Sequence, residues 1–330
     1  MPASNPSARP LRPTDLPALA SVWARGRLPF AGGGIFCNEA RVWERLGIGD
    51  RSLSALSGLE RALQQWAPIG SGRLTWIDLR GLALRGLASA RQRRGRRSAW
   101  EIDYLIAASG EEGACASLME KLAGDLGRAG VEKVFLRLDA HSRLLDVARD
   151  GGFFPYLREQ LWRLERAPGR LDCPPLPMRL RTAADLLPLF QLYNASVPAT
   201  VRRREALTLR EWAAVQEGGR CQHLVLQKDG RLAAWLRLSR QGGAGRFALL
   251  TPRREGAALD NLLATALHYL HDRRPIFCLV PEHERALAAR LVDLGFQPGA
   301  EYAVLVNRLV RPIEETMSVP AGAHQPYPVS

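Results

Sequence analysis

Lysine is almost missing from this chain. Only Lys121, Lys133 and Lys228 occur in 330 residues, so the net charge of +13 is carried by arginine. Arginine alongside abundant alanine, leucine and glycine is what a GC-rich coding sequence produces, and it is equally a field that attracts anions such as a polyanionic cofactor. Long apolar runs are missing too. None reaches the roughly 18 residues that span a bilayer, and the opening "MPASNPSARP" has no apolar signal-peptide core, so a cytoplasmic location is expected. There is no CxxC pair. The five cysteines (Cys37, Cys115, Cys173, Cys221 and Cys278) are odd in number and scattered, which excludes a disulfide framework and a zinc ribbon and leaves reduced thiols with no metal.

The 46% apolar and 24% charged residues are those of a folded globular protein. The length suits two domains of roughly 150 residues, and the sequence repeats itself once. "LRPTDLPALASVW" from Leu11 matches "LRTAADLLPLFQLYN" from Leu180: a strand end with arginine, then an Asp-Leu helix start. The two halves also end alike. Each has a strand, a loop with a histidine (His141, His283), a helix, a Gly-Phe pair (Gly152-Phe153, Gly295-Phe296) and a last strand. "RAPGRLDCPPLPM" between them, with four prolines, continues neither element. The expected organisation is an N-terminal domain 1–166, a linker 167–178, a C-terminal domain 179–311 and a loose tail 312–330.

Within the second half, "CQHLVLQ" and "RLAAWLRLSR" flank Lys228-Asp229-Gly230 as a hairpin, and "RFALLT" extends it to a meander. Helical spacing of Leu259, Leu262, Leu263, Ala266, Leu267 and Leu270 and the strand "IFCLV" follow. The first half repeats the scheme with "LTWIDL", "LRGLASARQ", "WEIDYLIAA", a helix bearing Leu118, Met119, Leu122 and Leu126, and "VFLRL". Both halves are therefore α/β, a mixed central sheet flanked by helices. This order, with a loop-to-helix junction after the fourth strand, resembles the GNAT superfamily of acyl-CoA-dependent N-acyltransferases. The resemblance covers nearly the whole chain as two domains in tandem, an arrangement similar to that of mycothiol synthases.

The resemblance implies a coenzyme A pyrophosphate site at the junction, where the family reads Arg/Gln-x-x-Gly-x-Gly/Ala before two leucines. A helix N-terminus suits an anion because its first N–H groups lack partners. In the first half Gly110 stands at the arginine position, and Gly113, Ala114, Cys115 and Ala116 follow. The second half, framed from Arg254 as Arg254-Glu255-Gly256-Ala257-Ala258-Leu259, keeps an arginine, the expected phosphate contact, and loses both glycines. Cys115 is either a thiol activated by the helix start or a small residue that fits. Histone-acetyltransferase-like members carry a glutamate in a strand similar to "EIDYLIA". That makes Glu101 a candidate base, and strand alternation puts Asp103 and Leu105 on its face. The family's tyrosine acid is replaced by Ala148 and Leu291, leaving Tyr156 as a substitute. His141 falls where members contact coenzyme A.

Three functions follow as expectations. The first is acyl transfer from acetyl-CoA or another acyl-CoA to a small-molecule or peptide amine, with the first half holding the cofactor. The second is a catalytically inactive tandem scaffold, suggested by the missing tyrosines and arginine. The third is binding of nucleic acid or an acidic partner through the arginines of "RQRRGRR", Arg91 to Arg97, on the turn between the third and fourth strands.

Overall fold

The computed structural model describes residues 8–17, 19, 35–36, 39, 42–43, 46, 72–81, 83–108, 110–166, 173–216, 221–241, 243–252 and 256–309. Among them are thirteen strands: β1 (Ala8–Pro10), β2 (Ile35–Phe36), β3 (Arg73–Arg80), β4 (Ala83–Gln92), β5 (Ala99–Ala107), β6 (Lys133–Asp139), β7 (Phe154–Leu164), β8 (Arg179–Leu180), β9 (Cys221–Lys228), β10 (Arg231–Gln241), β11 (Ala244–Leu250), β12 (Ile276–Pro281) and β13 (Gln297–Arg308). The described helices are α1 (Glu112–Arg128), α2 (Leu144–Asp150), α3 (Leu186–Ser196), α4 (Ala199–Glu205), α5 (Leu209–Gln216), α6 (Gly256–Tyr269) and α7 (Arg285–Asp293). None of them is long and apolar enough to cross a membrane.

The periodicity sets these elements. The apolar stripes expected on α1 and α6 are buried, Leu118 and Leu122 on one and Leu262 and Leu270 on the other. Lys228-Asp229-Gly230 turns the β9–β10 hairpin with φ of 51° at Asp229 and 74° at Gly230, as a primed turn requires. The repeat is visible at atomic level. Arg9 grips Asp15 with both terminal nitrogens at 2.7 Å, and Arg179 grips Asp185 in the same way at 2.7 Å. Each aspartate also accepts from a backbone N–H three residues back, of Arg12 at 2.8 Å and Thr182 at 2.7 Å.

The Arg179 fork, against the opposing effect of burial, holds the Asp185 carboxyl well below its ordinary value. A depressed carboxyl stabilises the fold above its unfolded pKa, near 4, and loses that contribution as the pH falls below it. Asp185→Ala should therefore cost about 1–2 kcal/mol at pH 7. The gap from the native chain in urea melts should narrow between pH 5 and pH 3. A gap independent of pH would rule out a charge-based role.

The strands form one sheet in the order β1-β3-β4-β5-β6-β13-β7-β12-β11-β10-β9-β8, with β2 on β5. The centre is an exchange. β13, from the second half, lies antiparallel between β6 and β7 of the first, while β7 lies between β13 and β12. The sheet runs across the boundary between the two repeats. The two cores expected from sequence both exist: α1 and α2 pack on the first half's strands, and α6 and α7 on the second's. Ala303 and Leu305 of β13 belong to the first core, and Trp162 and Leu164 of β7 to the second.

The arginine-rich turn braces the halves instead of presenting a free basic patch. Arg91 pairs with Glu101 at 2.6 Å, and Arg93 lies 4.2 Å over the Phe135 ring. Arg96 donates to the Ala206 carbonyl at 2.9 Å and pairs with Glu211 at 3.3 Å. Gly95, at φ 76°, sits so close to α5 that a Cβ there would lie 2.8 Å from that of Ala214. Three of the five arginines are thus engaged within the chain. Arg94 and Arg97 remain exposed.

Candidate active site

Two forks open in the sheet, one per half. β5 pairs in parallel with β6 only over Ala99–Glu101, and β11 with β12 only over Gly245–Phe247. Beyond those points the neighbours diverge, so later backbone groups of β5 and β11 have no ladder partner in β6 or β12. Each fork points toward the start of the helix that follows, α1 or α6.

The forks differ in what lies in them. In the first, Ile35 and Phe36 of β2 pair antiparallel with Leu105 and Tyr104, occupying the free edge of β5. In the second, no strand among the described residues pairs with β11 beyond Phe247, and a cavity of about 90 Å³ opens at the divergence. Ala248 and Leu279 line it where the strands part. Arg237, Arg246 and Glu159 line it from β10, β11 and β7, together with Glu39 and Trp43 from the first half. Val42 and Trp43 pack there on Leu161, Phe277 and Tyr302, which is why a first-half segment roofs a second-half fork.

The cavity is charged. Glu39 accepts from the Trp43 indole N–H at 3.0 Å and from Arg237 at 3.0 Å, and Arg237 also donates to Gln216 at 3.2 Å. Burial works against charge on Glu39, but the guanidiniums of Arg237, Arg137 and Arg246 outweigh it and draw its carboxyl down to about 2. Glu159 is the opposite case. It is 8% exposed and pairs with Arg137 at 2.7 Å, yet burial pushes its carboxyl above the ordinary value despite Arg137. A carboxylate raised toward neutrality and facing a cavity is the profile of a proton acceptor. The Arg246 guanidinium lies 5.0 Å from the centre of the Trp43 ring.

The residues singled out from sequence lie elsewhere. Glu101 and Asp103 do share a face, but there they form a cross-strand ion network. Arg91 pairs with Glu101 at 2.6 Å and with Asp103 at 2.9 Å, and Arg73 reaches Asp103 at 2.7 Å. The expected alternation fails after Asp103. Ser89 pairs with Tyr104 and Ala90 with Ile102, so Asp103 is the extra residue of a β-bulge. The bulge turns Leu105 over into the α1 core while Tyr104 and Ile106 face the other way. Tyr156 donates weakly to Glu205 at 3.4 Å, and burial with the nearby Glu205 pushes its phenol well above its ordinary value, away from a role as an acid.

At the α1 start, Gly110 makes a turn at φ 78°. Ala114 is buried and Gly113 and Ala116 are exposed. The Ala114 N–H is already donated to the Glu111 carbonyl at 2.9 Å, and the Glu111 carboxylate beside it pairs with Arg85 at 2.5 Å. Cys115 is fully buried, donates to the Ile106 carbonyl at 3.3 Å, and burial raises its thiol to about 12, so it is the small fitting residue and not an activated thiol. His141 is exposed in the turn after β6, its N–H bonded to Asp139 at 2.9 Å. Arg254 lies outside the described residues.

The described part of α6 begins at Gly256, directly after residues 253–255, which lie outside the described residues. Counted to that glycine, the second half reads Arg253-x-x-Gly256-x-Ala258, with Leu262 and Leu263 following, which satisfies the family pattern that the frame from Arg254 misses. The sequence carried this signal one residue away. Glu39, Trp43, Glu159, Arg237 and Arg246 carried no motif. Glu159, a carboxylate among the apolar positions of "LREQLWRL", was the one readable hint.

No family model matches the sequence, and no curated protein matches it. Solved structures do. Forked sheets opening onto a helix start belong to the GNAT fold, and a GCN5-related N-acetyltransferase from Sphaerobacter thermophilus superposes with a TM-score of 0.52 at 16% identity, over 92% of this chain and 96% of that one. A tandem GNAT protein from the clavulanic acid biosynthesis pathway superposes with a TM-score of 0.57 at 15% identity, over 92% of this chain and 98% of its own. The chain has the tandem GNAT fold.

Proposed function

We propose that the protein is an acyl-CoA-dependent N-acyltransferase working in the fork of β11 and β12, in the second half and not in the first as the sequence suggested. The observation that carries this reading is the contrast between the forks: β2 lies in one, and a charged cavity opens in the other.

The residues fit an acyl-CoA. The arm of coenzyme A carries amides, which the unpaired edge of β11 past Phe247 can meet with its own N–H and C=O groups. The N-terminus of α6 offers unpartnered N–H groups, and Arg253 and Arg254 precede it to meet phosphate. Bound there, acyl-CoA supplies an activated thioester. Glu159 takes the proton from the acceptor's ammonium, leaving a nucleophilic amine. Glu39, held charged between Trp43 and Arg237, stays ionised throughout and fixes the wall.

Acetyl-CoA at a hundredfold excess over its Kd should stabilise the chain by about 2.7 kcal/mol, a rise in Tm of several degrees. Replacing Arg253 and Arg254 with serine should remove most of that rise, while Gly113→Asp in the first half should leave it. No rise, or a rise abolished only by the first-half variant, would overturn the assignment.

A further inference from the structure

The cavity's charges bear on what else it receives, an inference that rests on the acyltransferase reading only for calling the ligand an acceptor. Around the cavity stand three guanidiniums, Arg137, Arg237 and Arg246, against two carboxylates, Glu39 and Glu159. Arg237 and Glu39 satisfy each other, and Arg137 backs Glu159 from behind. Arg246 is the third guanidinium, and its charge acts on Glu39 without an ion pair. No carboxylate pairs with it among the described residues; its hydrogen-bond partner is the Cys221 sulfur at 3.5 Å, and its guanidinium is held over Trp43.

An acceptor that brought only an ammonium would add a second unmatched cation to about 90 Å³ of partly desolvated space. Like charges a few ångströms apart cost several kcal/mol at the effective dielectric of such sites. An acceptor with a carboxylate beside its amine removes the conflict, because the guanidinium fork matches a carboxylate and Glu159 takes the ammonium. The volume exceeds by several-fold what a single water needs, enough for a carbon bearing both groups while the remainder extends out of the mouth. We infer that the acceptor is an α-amino acid or a molecule ending in one, its carboxylate bound by Arg246 and its amine presented to Glu159.

The test needs no acyl-CoA. Glycine, L-alanine, L-serine and L-glutamate are titrated into the full chain, each beside its carboxamide, with Tm and calorimetry as readouts. At least one free amino acid should bind tenfold or more tightly than its amide. Arg246→Gln, once its own melt is shown to match that of the native chain, should abolish that preference, and Arg246→Lys should restore part of it. The inference falls if amides bind as well as the free acids, if no amino acid binds, or if Arg246→Gln leaves the preference intact. Binding of amino acids without any response to acetyl-CoA would retain the pocket assignment and remove the acyltransferase one.

Discussion

Expressed alone, residues 1–166 should fail to give a folded soluble monomer, and so should residues 167–330, whereas the two fragments coexpressed should reassemble. The reason is the exchanged centre of the sheet. Without β13, the first half has a gap between β6 and β7, and the unpaired edges facing it are templates for aggregation. Tyr302, Val304, Leu305 and Val306 are all buried against strands of the first half or against its core. At about 1.5–3 kcal/mol per large side chain, their loss removes roughly 6–12 kcal/mol, comparable with the whole stability of a domain. The second fragment loses Leu161, Trp162 and Leu164 of β7 in the same way. Circular dichroism and size-exclusion chromatography decide the matter: a monomeric 1–166 fragment with a cooperative melt near that of the native chain would show that the exchange is dispensable.

What the sequence revealed was local. Helix α1 and the β9–β10 hairpin were readable because Leu118, Leu122 and Asp229-Gly230 act over a few residues, and the repeat was readable because Arg9–Asp15 and Arg179–Asp185 are built within six-residue spans. The seating of β13 between β6 and β7 was not readable. Two last strands of similar length and place in the repeat can close either half, and the choice depends on pairing between segments more than 130 residues apart. The cavity at the second fork was not legible for related reasons. A single bulge residue, Asp103, reversed the facing of Leu105, and the arginine motif of the second half fits one position earlier, from Arg253. Glu39 and Trp43 reach the second fork through tertiary packing on Leu161 and Phe277, which no spacing along the chain encodes.

The pair of Arg137 and Glu159 should give the sharpest functional result. Their side chains are 11% and 10% exposed, and they meet at 2.7 Å. Arg137→Met leaves Glu159 buried without its cation and should cost about 3–5 kcal/mol, whereas the double replacement Arg137→Met with Glu159→Met should recover most of that loss. The charge also sets the proton acceptor. Removing a positive neighbour disfavours the ionised carboxylate, so the acidic limb of the kcat/KM profile should move to higher pH in Arg137→Met. Glu159→Gln should lower kcat about 10²–10⁴-fold while leaving stabilisation by acetyl-CoA in place, because Glu159 lies on β7, apart from the start of α6 and its arginines. Turnover that survives Glu159→Gln, or an acidic limb that stays fixed in Arg137→Met, would move the base to another residue. A double replacement as unstable as the single one would show that Arg137 holds the sheet centre through contacts other than this ion pair.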